Sequence, residues 1–309
     1  MKRRKFIISS GIIGALLPIS NSLSMNERKF KISLNPGSIG AKYDMNNLLR
    51  IAIKYKYEAI SPDIYELDNY RDDDSQKFIK KMDIKNITWD AAGLPINFRE
   101  TEETFFNDLK SLEKYCKTMN KFGITKLSTW IMPTNHNLTY FDNFKLHSKR
   151  LKIIAEIITD YNIKLGLEHV GVRTLMNRDK YPFIHTIKEL KNLVEEIDNP
   201  NIGYQLDSFH WYCSSDKLED YNFLNNDNII TVDLNDAISG RSRENQIDYE
   251  RELPFTSKVI DLKKFINFLI KINYTGCVRA EPFNKILNNM DDEKAVQLTY
   301  NKLFETINL

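Results

Sequence analysis

Four carboxylates stand on short β-rich runs in the second half of the chain. Glu168 closes Lys164–Glu168, Asp207 closes Ile202–Asp207, Asp233 lies in Ile229–Leu234, and Glu281 closes Cys277–Glu281. His210 follows Asp207 by three residues, in what reads as the loop after that strand. Taken singly, a carboxylate after a strand is more often a helix N-cap or a solvated loop residue. Four on consecutive strands are different, because clustered carboxylates repel unless a cation sits among them. Oxygen-rich donors favour Mg²⁺ or Mn²⁺, with Zn²⁺ and Co²⁺ as alternatives. Trp89, Trp130 and Trp211 also fall at strand ends, where an indole face can stack on the apolar face of a sugar or simply complete a core. Arg251, beside Glu252, is a guanidinium for substrate hydroxyls or half of a surface ion pair.

These residues need a frame that brings strand ends together. β-rich runs recur through the chain: Lys31–Leu34, Ala59–Ser61, Asn86–Trp89, Thr125–Trp130, and the four named above. Helix-period stretches separate them, such as Phe144 to Tyr161 and Leu262 to Ile272, with Asp261 placed to cap the latter. Alternating strands and helices imply a parallel sheet with right-handed crossovers. Eight such units predict an α/β fold, a single closed (β/α)8 TIM barrel. No G-x-G-x-x-G turn supports an open dinucleotide-binding sheet. In a barrel of this kind, chemistry is placed at the C-terminal ends of the strands, which is where the four carboxylates stand.

The 309 residues carry 44 Lys+Arg against 42 Asp+Glu, so no basic excess points to nucleic acid as a partner. The three cysteines are too few and too scattered for a disulfide framework or a CxxC metal site. Residues 1–24 read as an export signal: Lys2-Arg3-Arg4-Lys5, then an apolar run from Phe6 to Ile19, then Ser20, Ser22 and Ser24. Arg3-Arg4-Lys5-Phe6-Ile7 fits a twin-arginine pattern, which predicts a periplasmic location. Ser9, Ser10, Gly11 and Gly14 dilute the run below what a stable membrane anchor needs. Removing the four positive residues takes the formal +2 to about −2 for a barrel spanning 25–309.

Motif order adds a resemblance. Leu165-Gly166-Leu167-Glu168 is followed by Leu206-Asp207-Ser208-Phe209-His210-Trp211-Tyr212, then by Asn235-Asp236-Ala237. Arg251-Glu252-Leu253-Pro254, Val259-Ile260-Asp261-Leu262 and Glu281-Pro282-Phe283 complete the series. From Ile163 to Phe283 the chain resembles the xylose-isomerase-like barrels, the sugar phosphate isomerase/epimerase superfamily, in an exported bacterial branch. The resemblance implies a divalent metal held by Glu168, Asp207, Asp233 and Glu281. Asp233 stands where the family places a histidine, in Val232-Asp233-Leu234-Asn235-Asp236. It further implies Glu168 and Glu281 as an acid/base pair acting next to a sugar carbonyl through an enediolate, with His210 on a substrate oxygen. The expected function is a metal-dependent isomerase or epimerase of a small carbohydrate. A 3-keto-glycoside lyase using the same proton abstraction, or a non-catalytic sugar-binding barrel, is the alternative. A homo-oligomer is compatible with either.

Overall fold

The computed structural model describes residues 28–309, so the expected export signal lies outside the described residues. Eleven strands are formed: β1 Lys31–Leu34, β2 Ala59–Ile60, β3 Thr88–Trp89, β4 Ala92–Gly93, β5 Lys126–Ile131, β6 Thr134–Asn135, β7 Lys164–His169, β8 Tyr181–Pro182, β9 Ile202–Asp207, β10 Ile229–Asp233 and β11 Cys277–Arg279. Nine of them make one sheet in the order β3-β2-β1-β11-β10-β9-β7-β5-β4. Every pairing in it is parallel. The outermost strands, β3 and β4, are consecutive in the chain and separated only by Asp90 and Ala91. They are two halves of one broken strand, and the break closes the barrel. Eight barrel positions were expected and are found. The third position differs in detail, because the run ending at Trp89 resumes at Ala92 after a kink. Buried Asp90 occupies that kink, its Oδ1 accepting from the Ala91 amide and from Thr231 Oγ1.

The strands are short apolar runs because both faces are covered. In β9 all six residues are buried, and in β10 all five. Helices pack outside on apolar stripes. Ile187–Ile197 buries Ile187, Leu190, Leu193 and Ile197 and starts with a Thr186–Glu189 capping box. The helix expected at Phe144–Tyr161 begins earlier, at Tyr140, where Thr139 accepts from the Asp142 amide. Asp261 caps Leu262–Lys271 as expected, accepting from the Lys264 amide at 3.0 Å. Cys116, Cys213 and Cys277 are buried free thiols. Among the described residues, no helix is long and apolar enough to cross a membrane.

Register decides what meets at the mouth. Asp233 is level with Asp207 on one side and with Arg279 on the other, and Trp130 is level with Glu168. The loop after β7 is pressed against the helix Ser208–Ser214. A Cβ on Gly171 would lie 2.5 Å from the His210 carbonyl oxygen and 2.7 Å from the Ser214 amide, both backbone atoms that cannot swing aside. Gly171→Ala should therefore destabilise the protein by about 1–3 kcal/mol, the usual range for overpacking. Denaturant unfolding checks this. An unchanged midpoint would mean the loop gives way without cost.

Candidate active site

Glu168, Gln205, His210, Asp248, Arg251, Arg279 and Glu281 line a cavity of about 600 Å³ at the C-terminal ends of the strands, with Trp130 and Phe283 at its edge. Asp207 and Asp233 lie beneath them, each fully buried. A shallower groove of about 730 Å³ over Tyr43, Asp63 and Tyr65 adjoins it, sharing Asn35, Ser61, Pro62 and Gly93.

The four expected carboxylates do converge, but in two different conditions. Asp207 and Asp233 are committed to guanidinium groups. Asp207 Oδ2 accepts from Arg251 Nη1 at 2.8 Å, its Oδ1 accepts from the Phe209 amide at 2.6 Å, and Asn235 Nδ2 donates to both oxygens. Asp233 accepts from Arg279 Nε at 2.8 Å and Nη2 at 3.2 Å, and from Gln205 Nε2 at 2.9 Å. Glu168 and Glu281 are free by comparison. Glu168 Oε1 is buried without a hydrogen-bond partner. Among the described residues the cation nearest the Glu281 carboxylate is Arg251 Nη1, at 3.5 Å, and its backbone is held by Asn235 Oδ1 accepting from its amide.

The electrostatics follow from this. Burial, then the charges of Asp207 and Glu281, push Glu168 well above the usual carboxylate range. Burial and the Asp233 charge push Glu281 up to about 8. Burial also raises Asp207 and Asp233, opposed by Arg251 and Arg279 respectively. Burial and the Arg251 charge push His210 down to about 3, so its imidazole is neutral at physiological pH.

The donor set fits a divalent cation. A buried carboxylate oxygen with no donor, as at Glu168, calls for a proton or a cation. The ligand atoms of Glu168, Asp207 and His210 lie within 4.8 Å of one another, as do those of Glu168, Asp233 and Glu281. A pH test is available on chelator-treated protein. Glu281 is raised in the folded state, so its contribution to stability is complete below its unfolded value near 4.5 and lost as pH climbs through about 8. Tm of the chelated protein should therefore fall between pH 5 and 8. Saturating Mn²⁺ should remove most of that fall by replacing protons with a cation. A chelated Tm that is flat across this window would contradict the assignment.

Several residues expected at the site sit differently. His210 is not in a loop but within the helix Ser208–Ser214, which Asp207 caps. It is buried, 3.4 Å from Arg251 Nη2 and 3.6 Å from Asp248 Oδ1. Arg251 is no surface partner of Glu252. It is 1% exposed, donates to Asp207, the Glu281 carbonyl and Asp248, and lies against the rings of Phe209 and Phe283. Trp130 does reach the cavity, 45% exposed, with the Arg99 guanidinium stacked 3.8 Å from its ring centroid. Trp89 does not: it stacks on Phe78 and donates to the Phe122 carbonyl. Trp211 points outward onto Phe265, at 5.4 Å between centroids. Both complete the core because their helices and strand turn them away from the mouth.

Arg279, Gln205, Asn235 and Asp248 belong to the site and were not expected there. Arg279 had a signal, since a lone arginine inside Cys277-Val278-Arg279-Ala280 needs a buried anion. Asp236, the middle of the N-D-A motif, ties down the following loop by accepting from the Lys258, Val259 and Ile260 amides.

Comparison with known proteins follows the same lines. The family model for the xylose isomerase-like TIM barrel matches residues 49–301. The inosose isomerase of Bacillus subtilis (strain 168) is 21% identical over 211 residues, 67% of this chain and 72% of that protein. A xylose isomerase domain protein from Alicyclobacillus acidocaldarius superposes with a TM-score of 0.78 at 22% identity, covering 90% of this chain and 98% of its own. The IOLI protein, solved with a bound zinc atom, gives 0.75 at 19% identity with the same coverage.

Proposed function

Because the chain belongs to the xylose isomerase-like TIM barrel family, we propose that it is a divalent-metal-dependent isomerase or epimerase of a small carbohydrate, working by proton transfer at a carbon next to a carbonyl. The observation that carries this reading is the contrast within the carboxylate cluster. Two aspartates are neutralised by arginines, while two glutamates face the cavity without hydrogen bonds and with raised proton affinity. A carboxylate tuned towards neutral pH can both take and return a proton. Glu168, Asp207 and Glu281 would hold the cation, which when bound would polarise the sugar carbonyl and lower the pKa of its neighbouring C–H. One glutamate then removes that proton and the other returns it. Neutral His210, whose Nε2 faces Arg251, keeps Nδ1 as a donor for a substrate oxygen, and the Trp130 face gives the sugar ring an apolar seat.

Export through the twin-arginine signal is part of the proposal, because a periplasmic enzyme would meet free sugars rather than sugar phosphates. The test of the reaction class is solvent-deuterium exchange. The purified protein with Mn²⁺, offered a panel of aldoses, ketoses and 3-keto-glycosides in D₂O, should place deuterium at one carbon beside the carbonyl. A released aglycone would move the reading to a lyase, and no exchange into any member would leave a binding barrel.

A further inference from the structure

Asp233 comes with a partner of its own. Parallel register sets Asp233 level with Arg279 on the next strand. The guanidinium grips both Asp233 oxygens, Nε on Oδ1 at 2.8 Å and Nη2 on Oδ2 at 3.2 Å, while Gln205 adds a third donor at 2.9 Å. Such a fork is the strong, geometrically specific form of the arginine–carboxylate pair. A second anion backs it: Asp90 Oδ2 lies 3.8 Å from Nη1 and, among the described residues, accepts no hydrogen bond. Among the described residues Nη1 makes no hydrogen bond, and Arg279 lines the cavity. Glu168 and Glu281 each bring a carboxylate oxygen within 4.8 Å of an Asp233 oxygen, yet among the described residues their carboxylates make no hydrogen bond.

We propose that Asp233 is the positioning partner of Arg279 and not a metal ligand. Arg279 supplies the positive charge that occupies Asp233, and the cation is held by the two glutamates, which have no such counter-ion in bidentate contact. The physical reason is local neutrality. Asp233 already has a buried counter-ion in bidentate contact, and a divalent cation drawn onto the same oxygens would be forced against that guanidinium in a medium that screens poorly. The inference rests on the metal-dependent reading above and assigns the roles within it.

The test is Mn²⁺ titration calorimetry on the full chain, designed so that charge is held constant. Asp233→Asn combined with Arg279→Gln removes one charge of each sign and leaves the cluster's net charge unchanged. The double variant should bind Mn²⁺ within about threefold of wild type, whereas Glu168→Gln and Glu281→Gln should each weaken binding by more than about a hundredfold, beyond the roughly tenfold to hundredfold that loss of an outer-shell partner costs. Arg279→Gln alone, which uncovers Asp233, should tighten binding about tenfold. If the double variant loses Mn²⁺ affinity as far as Glu281→Gln does, Asp233 is a ligand and the proposal fails while the metal-dependent reading stands. A wild type that takes up neither Mn²⁺ nor Zn²⁺ sinks both. Should the amide pair fold poorly by circular dichroism, Asp233→Leu with Arg279→Met replaces the buried ion pair by apolar groups and carries the same decision.

Discussion

Glu281→Gln is expected to slow proton exchange on an active sugar by about 10²–10⁴-fold, the range contributed by a positioned acid or base. The amide keeps the shape of the carboxylate and cannot accept the proton. Glu168→Gln should act in the same range, because in the proposed reaction one glutamate removes the proton and the other returns it. Neither change should unfold the protein. Each replaces a buried carboxyl whose proton affinity burial and its neighbours raise, Asp207 and Glu281 for Glu168 and Asp233 for Glu281, by a neutral amide of the same shape. Tm should hold or rise, the pattern of a strained site whose function costs stability. Exchange within about tenfold of wild type for both variants would remove the glutamates from the chemistry.

The second large effect is on stability. Arg251→Gln should destabilise the protein by about 3–5 kcal/mol, because it leaves a buried carboxylate without its counter-ion. Arg251 reaches Asp207 and Asp248, each at 2.8 Å, and the Glu281 carbonyl at 3.1 Å, so one side chain ties β9 to the loops after β10 and β11. Burial raises Asp248, yet the Arg251 charge beside it holds that carboxyl below the usual range. Part of the loss should therefore appear as pH dependence. Asp248, lowered in the folded state, contributes stability above its ordinary value that disappears as pH falls through the lowered one. In the variant that acid-side dependence should shrink. Scanning calorimetry should show a Tm drop on the order of 10 °C at neutral pH. A drop under about 2 °C would show that water or a moved side chain satisfies Asp207.

The barrel was legible in the sequence because its signals are local. Short buried strands read as apolar runs, helices read as 3.6-period stripes, and caps such as Asp261 act within three residues. The strand-end rule then found Glu168, Asp207, Asp233 and Glu281 without a contact being known. It erred where a residue's direction, not its position, matters. Trp89, Trp130 and Trp211 all end strands or follow them, yet only Trp130 faces the cavity. Asp207 was read as a strand-end ligand; it is also the cap that turns the next residues into a helix and buries His210.

Pairing across the barrel lay further out of reach. Arg251 is 44 residues from Asp207 and Arg279 is 46 from Asp233, so nothing in the intervening text marks which guanidinium meets which carboxylate. Hydrophobic periodicity and strand-end placement were enough to establish the frame and gather the acids, since burial and pleat are set residue by residue along one chain. Which acids are neutralised and which stay free depends on register between strands and on the burial of charge, and these arise only when the sheet closes. In this protein that closure pairs Asp207 with Arg251 and Asp233 with Arg279, and leaves the two glutamates facing the cavity.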